Sequence, residues 1–259
     1  ITLSWKFQGS AEASNGLVVF APRDADCVGT FNPATNVFAC VDISSTLTAD
    51  YKFNDAVVAS NGLIVFTPQN ADCVGTFNAG TSAFACVDIS STVTMDSKFW
   101  GASVASNGLV VFTPYDADCV GTFNAGTSAF ACVDISSTIS TGWKFAGSSV
   151  ASNGLIIFAP KRADCVGVFN AATSAFTCVD ISSTITSDDK FSDAVAAPNG
   201  LIIFPPQHAD CVGTFSAATN TFLCVDISST ISSDFKFADA AYDSANSLVV
   251  FAPIDANCV

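Results

Sequence analysis

An all-β fold assembled from one four-stranded unit copied along the chain is what this sequence predicts, on three observations. Lys-Phe recurs at 6–7, 52–53, 98–99, 144–145, 190–191 and 236–237, an unbroken step of 46 residues. Asn-Gly keeps the same step at 15–16, 61–62, 107–108, 153–154 and 199–200. A period of this length signals a repeat architecture, not a mosaic of unrelated domains. Each unit holds four short apolar segments rich in Val, Ile and Phe, separated by Asn-Gly, Pro and Asn/Ser/Thr clusters and without a 3.6-residue period. Ten of the 11 cysteines fall in pairs thirteen residues apart, at one place in each of the first five units.

In the second copy the strands are expected at Phe53–Ala59, Leu63–Phe66, Cys73–Phe77 and Phe84–Ile89. The second segment is apolar on both faces, as in Leu155-Ile156-Ile157-Phe158. Such a strand must be covered on both sides, as when small sheets stack face to face. The third and fourth segments read as a hairpin. With Pro33-Ala34 as its tip, Cys27 and Cys40 lie six residues to either side and are expected directly opposite each other. An opposed antiparallel pair about 4.5 Å apart at Cα lies within disulfide range. The pairs predicted are Cys27 with Cys40, Cys73 with Cys86, Cys119 with Cys132, Cys165 with Cys178 and Cys211 with Cys224. Each bond would contribute on the order of 3 kcal/mol on the chain-entropy estimate. Cys258 stands outside these pairs and is expected to be unpaired or intermolecular.

Four strands in about 46 residues fall between the blade lengths of WD and kelch repeats. The stretch VGTFNPATNVFACVDIS at 28–44 resembles the hairpin of kelch, YVTN and NHL propeller repeats, which place a similar Asp/Asn-Pro-x-Thr-Asn turn after a strand ending in an aromatic. The likeness covers essentially the whole chain. The kelch Gly-Gly, the Trp-Asp pair and the YVTN tetrapeptide are absent, so the resemblance implies the fold and no family's ligand. Phenylalanine supports it: 22 of the 23 occupy four registers, those of Phe53, Phe66, Phe77 and Phe84, one per strand. Rings at fixed positions would fill the wedge-shaped gaps between blades. A β-solenoid has shorter coils and fits the internal hairpin poorly.

The fold class expected is therefore an all-β propeller of four-stranded antiparallel blades, six in number with seven as the alternative. It forms a single domain over 1–259, with repeats near 6–51, 52–97, 98–143, 144–189, 190–235 and a partial 236–259. Ile1 falls in the register of Leu47, so 1–230 make five periods and about 18 residues of a sixth are expected from a longer chain or a neighbour.

Of 23 acidic residues all but Glu12 are Asp, a residue of turns and caps. A net charge of −14 without a basic patch argues against nucleic acid and is read as solubility by self-repulsion. No apolar run reaches the length of a membrane span. With no Cys-x-x-Cys and a single histidine, His208, zinc is not expected, nor is any other metal or cofactor. Regular cysteine pairs then read as disulfides, placing the chain in an extracellular or other oxidising setting. Asp26, Asp72, Asp118, Asp164 and Asp210 recur, as do Asp42, Asp88, Asp134, Asp180 and Asp226. Calcium would need several oxygen ligands close in sequence. Turn capping, with the Lys of Lys-Phe as an ion partner, is the favoured reading.

The copies differ at the two residues after the proline between strands two and three: Arg23-Asp24, Gln69-Asn70, Tyr115-Asp116, Lys161-Arg162 and Gln207-His208. They differ also in the linkers before Lys-Phe, where Trp143 stands. In a propeller these two loop sets share a face, while the Ser-Asn-Gly and Asn-Ala-Gly/Ala-Thr loops of the other scarcely change. One variable face on a uniform scaffold is how such folds present a binding surface. The expected function is a secreted, disulfide-stabilised structural or protein-interaction module, its partners other proteins or further copies of itself. A glycan- or small-ligand-binding propeller using Trp5, Tyr51, Trp100, Tyr115 and Trp143 as exposed platforms is the alternative. A hydrolase or lyase is a distant third: His208 lacks a Gly-x-Ser-x-Gly elbow, and Asp55, Asp193 and Asp239 each lack a second carboxylate beside them.

Overall fold

The computed structural model describes residues 4–257. Among them the chain forms five four-stranded antiparallel sheets and a two-stranded one. Each complete sheet is ordered by sequence from first strand to fourth, the blade of a β-propeller. In the second sheet the strands are Phe53–Val58, Ile64–Pro68, Cys73–Asn78 and Ala83–Asp88, within a residue or two of the boundaries expected. In the fifth, the first strand shrinks to Val195–Ala196 with an isolated bridge from Phe191 to Pro206. Pro205 there has no N–H for the ladder, and Ser192 bonds to its carbonyl instead. The chain divides into two compact units, Ile1–Asp134 and Ile135–Val259.

Side-chain alternation gives each sheet two unlike faces. In the second sheet Phe53, Phe66 and Phe84 gather on one face, ring centroids 5.5 to 6.4 Å apart, and the fourth ring, Phe77, shares that face beside Ile64. The other face carries Val57, Val65, Val74 and Val87. Within the first unit, the aliphatic face of the first sheet (Val19, Ala21, Val28) packs on the phenylalanine face of the second. The aliphatic face of the second likewise packs on Phe99, Phe112 and Phe123 of the third. In the second unit Ile157, Val166 and Val168 of the fourth sheet cover Phe191, Phe204 and Phe215 of the fifth. A glycine sits beneath each ring triad because nothing larger fits: a Cβ on Gly75 would lie 2.7 Å from Phe53 Cζ and 3.0 Å from Phe66 Cδ2.

All five predicted disulfides form, with Cα atoms 5.3 to 5.4 Å apart. The hairpin register differs from the one expected. Cys27 opposes Asp42, and Cys40 opposes Gly29, so each bond runs diagonally across the two strands. The cause is the turn, which spans four residues, Pro33–Asn36. Asn32 Oδ1 accepts the N–H groups of Ala34 and Thr35, and Asn36 closes the loop with φ 54°. Cys258 lies outside the described residues.

The turn between first and second strands needs its glycine: Gly62, at φ 83°, donates to Ala59 O, while Asn61 Oδ1 accepts from Leu63. The Asn61 amide also donates to Ala125 O in the next sheet, 2.9 Å away. Asn15 to Ala79 O and Asn153 to Ala217 O repeat the contact. Beyond the fourth strand, Asp42, Asp88, Asp180 and Asp226 each accept the N–H of the serine two residues on, at 2.8 Å.

Two outcomes are expected. Gly75→Ala destabilises by about 1–3 kcal/mol through overpacking, whereas Gly80→Ala, at a position where other repeats carry Ala, is close to neutral. Urea unfolding without reductant reads both. The serine N–H groups hold Asp42, Asp88, Asp180 and Asp226 below the usual aspartate value, so the unfolded chain binds their protons more readily than the native one. Their contribution is whole above the ordinary aspartate pKa and disappears as pH falls through the lower native values. The fourfold Asp→Asn variant therefore loses less thermal stability than the parent between pH 5 and pH 2, values chosen to bracket the about 3.9 of a free aspartate.

Candidate functional site

The bends after the second-strand proline and the linkers before Lys-Phe meet in one band along each unit. The residue before each lysine has left-handed backbone: Trp5, Tyr51, Ser97, Trp143, Asp189 and Phe235, with φ between 49° and 55°. Bulky residues seldom adopt this conformation, at a cost of order 1 kcal/mol or more each. Hydrogen bonds on both sides hold it. Tyr51 accepts from the Asn70 N–H at 2.9 Å and donates its own to Asp24 Oδ1 at 3.0 Å. Ser97 accepts from Asp116 and donates to Asn70 Oδ1.

The lysine that follows is almost wholly buried in the second to sixth repeats. Lys52 accepts on its carbonyl from Gln69 and Ala71 and donates its N–H to Arg23 O, one repeat back. The ammonium groups end on bend carbonyls and carboxylates. Lys98 Nζ lies 3.2 Å from Asn70 O and 3.4 Å from Asp72, and Lys236 Nζ 3.4 Å from His208 O and 3.2 Å from Asp210. Lys190 reaches Asp164 at 3.4 Å, and Lys52 lies 3.2 Å from Asp26, off the hydrogen-bond axis. The recurrent Asp at the start of the third strand thus serves as an ion partner. Asp55, in the first strand of the second sheet, accepts from its neighbour Ala56 and from Ala102 of the third sheet.

Side chains project from this frame in two directions. Outward, cationic and imidazole groups lie against the aromatics before the lysines. Arg23 Cζ is 4.3 Å from the Tyr51 ring centroid and 5.0 Å from Trp5, and Arg162 Cζ is 3.9 Å from Trp143. His208 meets Phe235 edge-on at 4.4 Å. Stacks of this kind contribute about 0.5–1 kcal/mol when exposed. Inward, Lys161 Nζ donates to Gln207 Oε1 at 2.7 Å and lies 3.5 Å from Asp189 Oδ1, which Arg162 Nε approaches at 3.7 Å. Burial pushes the Lys161 amine below the usual lysine value, against the opposing pull of Asp189. In the first unit Trp100 stacks on Tyr115 at 4.6 Å and accepts from the Asn54 amide.

Of the residues singled out from sequence, Arg23, Asp24, Asn70, Asp116, Arg162, Gln207 and His208 are half-buried and Trp143 is exposed. Gln69, Tyr115 and Lys161 are buried, and Trp100 is half-buried on Tyr115. The exposure expected of Trp100 and Tyr115 is thus corrected, since each covers the other. Of the register before Lys-Phe, sequence reasoning named Trp5, Tyr51 and Trp143 and missed Phe235. Aligning the copies on that lysine would have gathered Trp5, Tyr51, Trp143 and Phe235 in one column.

Among the described residues no group of three or more His, Cys, Asp or Glu is placed to hold a metal ion, and no helix is long and apolar enough to cross a membrane.

No protein-family description and no curated protein matches this sequence. Solved structures do. A catalytically inactive virginiamycin B lyase from Staphylococcus aureus, with quinupristin, superposes with a TM-score of 0.75 at 15% identity, over 94% of this chain and 76% of that one. A streptogramin B lyase gives 0.69 at 17% identity, over 88% and 71%. The extracellular domain of a one component system from B. thetaiotaomicron gives 0.73 at 10% identity, over 95% of this chain and 32% of that one. At these identities the likeness is one of fold. This chain is a β-propeller repeat protein, and its five disulfides fit an oxidising, extracellular setting.

Proposed function

We propose that the protein is an extracellular interaction module that captures a partner protein, a further copy of itself included, through the band of bends and linkers, without catalysing a reaction. One observation carries the reading: the band is fastened mainly by backbone groups, yet it holds out aromatics and cations in the combination that dominates protein interfaces. Three of the nine basic residues lie outside the Lys-Phe register, and two of them, Arg23 and Arg162, lie outward in this band while Lys161 is turned inward. On a chain of net charge −14 that concentration favours a partner with exposed carboxylates. A glycan is the second reading, favoured by Trp5 and Trp143, whose rings are exposed beside an arginine.

Chemical cross-linking in the natural extracellular fluid tests this. The parent chain is expected to trap protein partners that a Trp5→Ala/Tyr51→Ala/Trp143→Ala variant loses, since anchors of this type contribute about 2 kcal/mol or more, roughly thirtyfold in affinity. An unchanged partner set in the variant would sink the proposal. Glycan-array binding abolished by Trp143→Ala would put the second reading in its place.

A further inference from the structure

Each complete sheet finishes on a strand with one free edge. Among the described residues the fourth strands, Val37–Asp42, Ala83–Asp88, Ala129–Asp134, Ala175–Asp180 and Thr221–Asp226, pair only with the third strand of their own sheet. Soluble proteins guard such edges with lysine, proline or a bulge, because an open ladder recruits another strand. These five edges carry none of the guards. Their sequences contain no Lys, Arg or Pro, and the terminal Asp is the single charged residue in each. Every third-to-fourth ladder runs through six consecutive pairs without a shift. The disulfide adds a covalent tie to the third strand, so the edge is held in register and cannot peel away.

The free groups can be located in the second sheet. The Ile89 N–H turns inward to Asp72 O at 2.9 Å, so alternation sends the N–H and C=O of Phe84, Cys86 and Asp88 outward. Ile43, Ile181 and Ile227 make the same inward bond in their sheets. We propose that fourth-strand edges of two copies pair antiparallel, about a two-fold axis through the fourth-strand cysteine. The argument is continuity of a ladder the chain already makes, with a partner edge that carries the same free groups at the same spacing. In this register Cys86 exchanges hydrogen bonds with its equivalent in the second copy, and Phe84 faces Asp88 across the joint. The two aspartates then lie about 14 Å apart along the strands, beyond the about 8 Å over which charges act at physiological salt. Each joint is isologous and closes on itself, while the remaining edges stay free to take up further copies. Copies of net charge −14 repel one another, so the association tightens with added salt.

This surface is separate from the band of bends and linkers. Sedimentation velocity of the full chain, over the about 1–100 µM range of weak interfaces, is expected to show species heavier than the 26.6 kDa monomer. The Trp5→Ala/Tyr51→Ala/Trp143→Ala variant is expected to show them too. Ala39→Lys, Ala85→Lys, Ala131→Lys, Thr177→Lys and Leu223→Lys together place the missing guard at one exposed position of every edge, and that variant is expected to stay monomeric. A control adds the same charge at exposed turns between first and second strands, by Ser14→Lys, Ser60→Lys, Ser106→Lys, Ser152→Lys and Pro198→Lys, and is expected to associate. Near-parental circular dichroism confirms folding of each. Hydrogen exchange of the parent needs no variant: the N–H groups of Phe84, Cys86 and Asp88 are expected to exchange more slowly at the top of the concentration range than at the bottom. A parent monomeric throughout overturns the inference and leaves the edge to an extended segment of another protein. Edge amides indifferent to concentration overturn it, as does association that survives the five edge lysines. Association lost in the turn control or in the band variant places the contact elsewhere and overturns it too.

Discussion

The rest of the structure hangs on a buried lysine. Placing an ammonium in a protein interior costs several kcal/mol unless charge and hydrogen bonds compensate. Here the compensation comes from two sides: a backbone carbonyl of the preceding bend, and the carboxylate at the start of the third strand of the preceding repeat. The same lysine's main chain accepts two N–H groups from its own bend and donates to the bend before. A single residue per repeat therefore ties first strand, bend and preceding sheet together. The left-handed residue before it turns the linker into position. Because the carboxylates are about half to three-quarters exposed, their side of the pair stays hydrated, which lessens the desolvation that a fully enclosed pair would suffer.

The two loop faces are fastened by different chemistry, and the difference accounts for their unequal variety. On one, the Asn61 side chain itself reaches the next sheet and Asn124 shapes the hairpin that receives it, so few other residue types would serve. On the other, most links are between main-chain atoms: Arg23, Gln69 and Tyr115 make the same backbone bonds to Lys6, Lys52 and Lys98 although their side chains have nothing in common. Backbone fastening leaves side chains free to change while the frame stays put. That is a condition for a surface whose specificity can be altered without refolding the scaffold.

The fold was legible in the sequence because its determinants are local and repeated. Lys-Phe, Asn-Gly and the cysteine step each mark a fixed place in a short unit, and the four phenylalanine registers mark the packed face. What escaped depended on backbone geometry that residue spacing does not encode. Asn36 in the left-handed region lengthens the hairpin loop to four residues, which turns an opposed cysteine pair into a diagonal one. The lysine of Lys-Phe suggested an ion partner but not its burial, since that needs a carbonyl from another repeat. Lys161 and Tyr115 sit in loops that read as exposed and are buried because each finds a neighbour, Gln207 or Trp100. The band was legible as a location, its inward and outward halves were not.

The diagonal disulfide has a further consequence, for survival among proteases. The hairpin loop at Pro33–Asn36 is the exposed tip of its two strands, the kind of place where an endoprotease first cuts. Cys27 and Cys40 lie on either side of that loop, so one cut there opens the backbone without releasing a fragment. The nicked strands remain hydrogen-bonded in register and covalently joined, and the sheet beneath them stays in place. The same protection recurs in five repeats, so a chain nicked many times would still migrate as one piece until a reductant frees it.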